Sequence, residues 1–151
     1  MRYIIYFLNF FQSGRIITIF DEEEYKRWML NAKKTLESSS SDINAEFFNW
    51  SCFKSQQAAE YALKAYLRGV GMDSYGHSIS GLISKIGLSD DFIRYGKLLD
   101  KYYIPTRYTD AWAEGIPSDY YTIEEAKEAF ECSEAIIIEM EAKWKSLREE
   151  K

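Results

Sequence analysis

The chain is poor in the residues that staple small folds or hold metals. Among its 151 residues there are 2 cysteines and 1 histidine. Cys52 and Cys132 stand apart, outside any CxxC or Cys/His cluster. That spacing speaks against a disulfide scaffold and against a zinc site built from the usual ligands. The two thiols read instead as buried groups of a cytoplasmic protein. Both prolines, Pro105 and Pro117, fall in one stretch, and there are only 8 glycines. These are too few turn-formers for a many-stranded sandwich or barrel. No apolar run reaches the ~20 residues that a membrane-spanning helix needs. A net charge of −5 and a pI near 5.0 argue against a protein-wide nucleic-acid footprint, although a local basic site is compatible with them.

What remains is ordinary for one soluble domain, with 46% hydrophobic and 28% charged residues. Aromatic content is high at 17%, and 12 tyrosines supply much of it. The first twenty residues differ from the rest: they hold Arg2 and Arg15 and no acid, within an otherwise acidic chain. The apolar run there is too short to span a membrane, and no small-x-small site follows that would suit a cleaved signal. A β-hairpin turning at Gln12-Ser13-Gly14 and a start assigned too far upstream both stay open. Residues 1–20 are therefore expected to be an extension, as a hairpin or disordered, with residues 21–151 forming the main domain.

From Asp21 onward the signals are helical. Asp21 with Glu24 has capping-box spacing, and Tyr25, Trp28, Met29, Ala32 and Leu36 recur on one face. This predicts a helix over Asp21–Glu37, broken by Ser38–Ser41. Ile43–Val70 is the longest periodic stretch and predicts a second helix ending near Gly69 and Gly71. A short helix with Ile79, Leu82, Ile83 and Ile86 should stop at Gly87. Ser89 should cap the next, whose face is Phe92, Tyr95, Leu99 and Tyr102. Pro105 cannot continue that helix. After an irregular segment over Ile104–Tyr121, Thr122 and Glu125 form another capping box, opening a long final helix. The fold class is all-α, an antiparallel up-and-down bundle of about five helices.

These residues carry a resemblance. The segment Gln56-Gln57-Ala58-Ala59-Glu60-Tyr61-Ala62-Leu63-Lys64-Ala65-Tyr66-Leu67 resembles the signature second helix of HEPN domains, the higher eukaryote and prokaryote nucleotide-binding family. His77 with Ile79 and Leu82 is similar to the start of that family's third helix. The run Leu99-Asp100-Lys101-Tyr102-Tyr103-Ile104-Pro105-Thr106-Arg107-Tyr108-Thr109-Asp110 resembles its fourth helix and following loop. Tyr121-Thr122 with Ala126 resembles its last helix. The likeness covers about Asp21–Leu147.

The resemblance implies a helical bundle that pairs about a two-fold axis, often beside a small nucleotidyltransferase in a toxin–antitoxin-like pair. Many members are metal-independent ribonucleases with an arginine, followed a few residues later by a histidine, at the dimer cleft. Arg107 matches the arginine. Trp112, Ala113 and Glu114 occupy the positions where the histidine would fall. Metal-free RNA cleavage needs one group to take the 2′-hydroxyl proton and one to protonate the leaving oxygen, roles that suit histidine. Arginine stays charged, so it binds phosphate and stabilises the transition state. The departure therefore points to binding without cleavage.

The candidate ligand-binding residues are Arg107, Tyr108, Asp110, Trp112, Tyr103 and His77. Tyr102, Tyr103, Tyr108 and Trp112 offer faces on which a base can stack, or else the tyrosines pack at an interface. Asp110 can pair with Arg107, and His77 caps or packs at the third helix or else serves as an unorthodox proton shuttle. Gln56, Gln57 and Glu60 can add polar groups to the cleft. Lys54, Lys64, Arg94, Lys97 and Lys101 form a basic patch or merely a solvated face. No cofactor or metal is implied. Phe47, Phe48, Trp50 and Phe53 cover more than one side of the second helix, which predicts a homodimer. The leading expectation is a non-catalytic dimeric module that binds a nucleotide or RNA phosphate and engages a nucleotidyltransferase. The alternatives are a ribonuclease toxin using Arg107 with His77, and a purely structural helical dimer.

Overall fold

Asp21 sets the first helix in place with two contacts. Its carboxylate accepts from the Glu24 N–H at 3.0 Å, and its own N–H donates to the Gly69 carbonyl at 2.8 Å. The first bond caps α1 (Glu22–Asn44), and the second ties its start to the end of α2 (Phe48–Gly69). The computed structural model describes residues 20–149, so the expected N-terminal hairpin or extension lies outside the described residues. Within them follow α3 (Ile79–Ile86), α4 (Asp90–Asp100) and α5 (Ile123–Glu149), with short 3-10 turns at Thr109–Ala111 and Pro117–Asp119. No strand occurs among the described residues.

One expected boundary is wrong. The Ser38–Ser41 break does not exist, because α1 runs through it to Asn44. Serine disfavours a helix by only about 0.5 kcal/mol relative to alanine, and tertiary contacts outweigh that. Ser39 is fully buried against α2, with its Oγ 2.9 Å from Ser51 Oγ, 2.8 Å from Ser55 Oγ and 3.0 Å from the Ser51 carbonyl. Ser41 folds its hydroxyl back onto the Glu37 carbonyl at 3.2 Å. The true turn comes later, at Ala45–Phe47, where Glu46 takes a left-handed φ of 63°. The second helix accordingly starts at Phe48 rather than Ile43.

The central element is α2, packed by α1, α5, α3 and α4. Ala58, Ala59, Ala62 and Ala65 are fully buried on it, and such small side chains let neighbouring helices approach closely. Where α1, α2 and α5 meet, Tyr25 stacks on Trp144 with centroids 4.1 Å apart, and Gly69 lies against the same indole. A Cβ on Gly69 would sit 2.5 Å from that ring. The other end of the bundle is set by a close crossing of α3 and α4. At that crossing a Cβ on Gly96 would meet the Ser80 backbone at 2.8 Å. Thr122 and Glu125 form the expected reciprocal cap on α5, at 2.9 Å and 3.3 Å. Ser89 occupies the N-cap position of α4, but its side chain makes no cap bond. No described helix is long and apolar enough to cross a membrane.

Candidate functional site

The α3–α4 crossing brings two loops together above one face of α2. The Asp100 carboxylate, at the end of α4, accepts from the Ile79 N–H at 2.5 Å and the Ser80 N–H at 3.2 Å. It therefore holds the first turn of α3, a favourable place for an anion. His77 lies just before that turn, and its carbonyl accepts from Gln56 Nε2 at 3.1 Å. Its ring Nδ1 lies 3.1 Å from Glu60 Oε1. A carboxylate can only accept, so this contact places a proton on Nδ1 and leaves Nε2 as the outer nitrogen.

Glu60 is the hub of this cluster. Its side chain is 4% exposed, and Lys64 Nζ reaches its Oε1 at 2.9 Å. The His77 side chain, by contrast, is 57% exposed. A buried carboxylate is tolerable only when it is paired and hydrogen-bonded, as it is here. The cluster thus presents one imidazole to solvent, held from behind by a charge pair.

The His77 ring stacks on Tyr103, with centroids 4.9 Å apart and planes 16° from parallel. Tyr103 also carries Arg107. The Arg107 guanidinium carbon lies 4.8 Å from the Tyr103 ring centroid, 4.2 Å from that of Phe53 and 5.0 Å from that of Tyr108. Its Nε and Nη2 donate to the Tyr103 carbonyl at 2.9 Å and 2.6 Å. Among the described residues no acid pairs with Arg107, which leaves the rest of its donor fork free. A rigid, half-buried guanidinium with aromatic rings around it and no carboxylate is suited to an oxyanion approaching its edge.

Behind Arg107 the loop is pinned. Thr106 is fully buried, with its hydroxyl donating to the Tyr102 carbonyl at 2.6 Å. Asn49 Nδ2 donates to the Thr106 carbonyl at 3.0 Å. The Trp112 indole N–H reaches the Pro105 carbonyl at 2.8 Å, while its ring stacks on Tyr120 at 3.9 Å.

Of the sequence-predicted site residues, Arg107, Tyr103, Tyr108 and His77 come together around the Tyr103 ring. Trp112 stands one layer behind as a brace, with one face already covered by Tyr120. Asp110 lies exposed on the Thr109–Ala111 turn and makes no ion pair with Arg107 among the described residues, so of its two possible roles it is placed as a solvated loop acid. Of the five cations read as a basic patch or a solvated face, Lys54 pairs with Asp42 at 2.6 Å, Lys64 with buried Glu60, and Arg94 with Asp91.

Sequence reasoning missed that one stripe of α2 lies beneath the candidate site. Asn49, Phe53, Gln56, Glu60 and Lys64 recur at helical spacing along the face beneath the two loops. The available signal was polar Asn49 inside Phe47–Trp50, continuing in register with Glu60. Burial raises the Cys52 thiol to about 12 and the Tyr121 hydroxyl to about 12, so neither supplies a proton shuttle near neutrality. Among the described residues no three metal-ligating side chains converge.

This geometry can be set beside known proteins. The HEPN domain family matches residues 25–143, most of the chain. The chain belongs to the HEPN family. Solved HEPN-like structures agree with that assignment. TT1696 from Thermus thermophilus superposes with a TM-score of 0.77 at 35% identity, covering 80% of this chain and 98% of its own. An archaeal HEPN homologue gives 0.70 at 34%, covering 79% and 96%. A HEPN domain protein from Thermotoga maritima gives 0.65 at 30%, covering 79% and 98%. No curated protein matches. The HEPN bundle of this chain therefore spans α1 to α5, with the Tyr103 cluster at one end.

Proposed function

We propose that this HEPN domain is a non-catalytic, dimeric module that binds the phosphate of a nucleotide or RNA segment at Arg107 and works with a small nucleotidyltransferase. The observation that carries the reading is the Arg107 guanidinium itself, fixed by the Tyr103 carbonyl, flanked by three aromatic rings and, among the described residues, paired with no acid. The absence of histidine at Trp112–Glu114 supports binding over cleavage. Tyr108, half-exposed beside the guanidinium, is the ring available to a base, and exposed Asp110 borders the same loop.

Pairing of two copies is supported by apolar groups beside the site. Phe47 is 55% exposed, Trp50 43% and Tyr108 50%, and Trp50 packs edge-on against the Phe53 ring that underlies Arg107. A two-fold contact there would bring two guanidinium groups near one another, and a bound anion would relieve their repulsion. Titrating nucleotides and short RNAs at low salt tests the reading. Binding should weaken as salt rises and vanish in Arg107→Ala. Equal binding by wild type and variant, or none at millimolar ligand, overturns it. Light scattering giving a strict monomer at micromolar concentration removes the dimer.

One observation favours a second reading, a metal-independent ribonuclease. Tyr103 holds His77 and Arg107 against the same ring, and Glu60 orients the imidazole as a carboxylate orients a general base. His77 would take the 2′-hydroxyl proton as that oxygen attacks phosphorus and return it to the 5′-oxygen as the P–O5′ bond breaks, with Arg107 on the phosphate oxygens. It stands second because one imidazole per site would serve both proton transfers. RNA cleavage lost in both His77→Ala and Arg107→Ala would put this reading first.

A further inference from the structure

Asn49 is 5% exposed in the first turn of α2, flanked in sequence by Phe47, Phe48 and Trp50. Among the described residues its buried Oδ1 has no hydrogen-bond partner. A buried amide whose carbonyl oxygen is left unmet is costly compared with an apolar side chain of the same shape. Packing alone therefore does not account for it. Its single hydrogen bond, Nδ2 to the Thr106 carbonyl at 3.0 Å, falls on the peptide that joins Thr106 to Arg107. Among the described residues it is the only hydrogen bond from α2 to the loop between α4 and α5. One turn further along the same face, Phe53 packs under the Arg107 guanidinium. The helix thus fixes the backbone of the loop with one residue and the side chain that the loop carries with the next.

We propose that Asn49 is a positioning residue for Arg107: its amide sets the plane of the Thr106–Arg107 peptide so that the guanidinium meets both the Tyr103 carbonyl and the Phe53 ring. The inference rests on the reading of Arg107 as the phosphate-binding group. Without the Asn49 donor that peptide is free to turn, and the guanidinium leaves the rings that restrict it. The charge remains, but its donor fork is no longer preorganised for an oxyanion.

The test compares wild type with Asn49→Asp, which keeps the shape and loses the donor, and with Asn49→Leu, which fills the space. Ser55→Ala is the control, removing a buried hydrogen bond elsewhere on α2. The probe is a fluorescein-labelled oligouridylate at low salt. A second readout is the Arg107 Nε–H resonance in proton–nitrogen NMR, shifted by the surrounding rings and slowed in exchange by its bond to Tyr103. Asn49→Asp and Asn49→Leu should each weaken binding about fivefold or more, a loss of about 1 kcal/mol. They should also move the Nε–H signal toward that of a free arginine. Ser55→Ala should lower the unfolding temperature and leave both readouts unchanged. An Nε–H signal unmoved in a folded Asn49→Asp or Asn49→Leu overturns the proposal, whether or not RNA binds. If wild type binds, Arg107→Ala does not, and the Asn49 variants bind like wild type, Arg107 stands and Asn49 falls. If wild type fails to bind, the phosphate reading falls and the Nε–H signal alone decides for or against Asn49.

Discussion

Two polar clusters lie against α2, and they differ in kind. Toward its start, Ser39, Ser51 and Ser55 join three hydroxyls that are neutral, fully buried and bonded to one another. Further along, Gln56 and His77 join the Glu60–Lys64 ion pair, and the last member of that network, His77, stands 57% exposed. The serine cluster closes on itself and locks α1 to α2. The Glu60 cluster opens outward and ends on the ring that also carries Arg107. A neutral closed network suffices for stitching helices, whereas an ion pair kept near the surface at one end holds a side chain where a ligand can reach it.

The sharpest way to break this contrast is Glu60→Gln. It leaves the Lys64 ammonium largely buried without its counter-charge, so stability should fall by about 3 kcal/mol, read from urea unfolding. A loss below about 1 kcal/mol would show that the cluster is less closed than its burial indicates. High pH attacks the other side. Burial raises Cys52 and Tyr121 to about 12 in the folded chain, above their usual values of 9.0 and 10.0. Raised values favour the protonated folded state, so this stability is intact below about pH 9. It should drain away by a few kcal/mol as pH climbs toward 12, seen as a falling midpoint in denaturant titrations.

Smaller effects separate the two clusters further. Ser39→Ala should cost about 1 kcal/mol, a few degrees of unfolding temperature, with nucleotide binding untouched. His77→Ala should reverse that pattern. Its exposed ring contributes about 0.5 kcal/mol or less to stability, while ligand affinity falls because Tyr103 loses its stacking neighbour. Calorimetry paired with a binding titration checks both. The contrast fails if Ser39→Ala weakens binding more than His77→Ala does.

Much of the fold was legible because apolar periodicity and caps are local. Thr122 with Glu125, Gly87, and the Tyr25–Leu36 face all read correctly from neighbouring residues. The serine run misled because Ser39 finds its partners 12 and 16 positions ahead, on another helix. Arg107 was legible as part of a family pattern. Tyr103 and Tyr108 were legible beside it because they share its loop, whereas Phe53 was legible only as part of an apolar face, since it meets the guanidinium only once the loop lies against α2.

Residue order alone determined the all-helical character of the described residues, their turns apart from the serine run, and the chain's place among HEPN domains. Helix periodicity, caps and glycine stops act within a few residues of one another, so they are written in the local sequence. Tertiary structure decided which of the candidate residues meet. Asn49 reaches Thr106 across 57 positions, and His77 reaches Glu60 across 17. Such contacts depend on the close approach of α3 and α4 at Gly96 and Ser80, and on the Asp100 carboxylate that fixes the start of α3. Helix crossings are set by the summed packing of whole faces, and no short stretch of sequence encodes that sum.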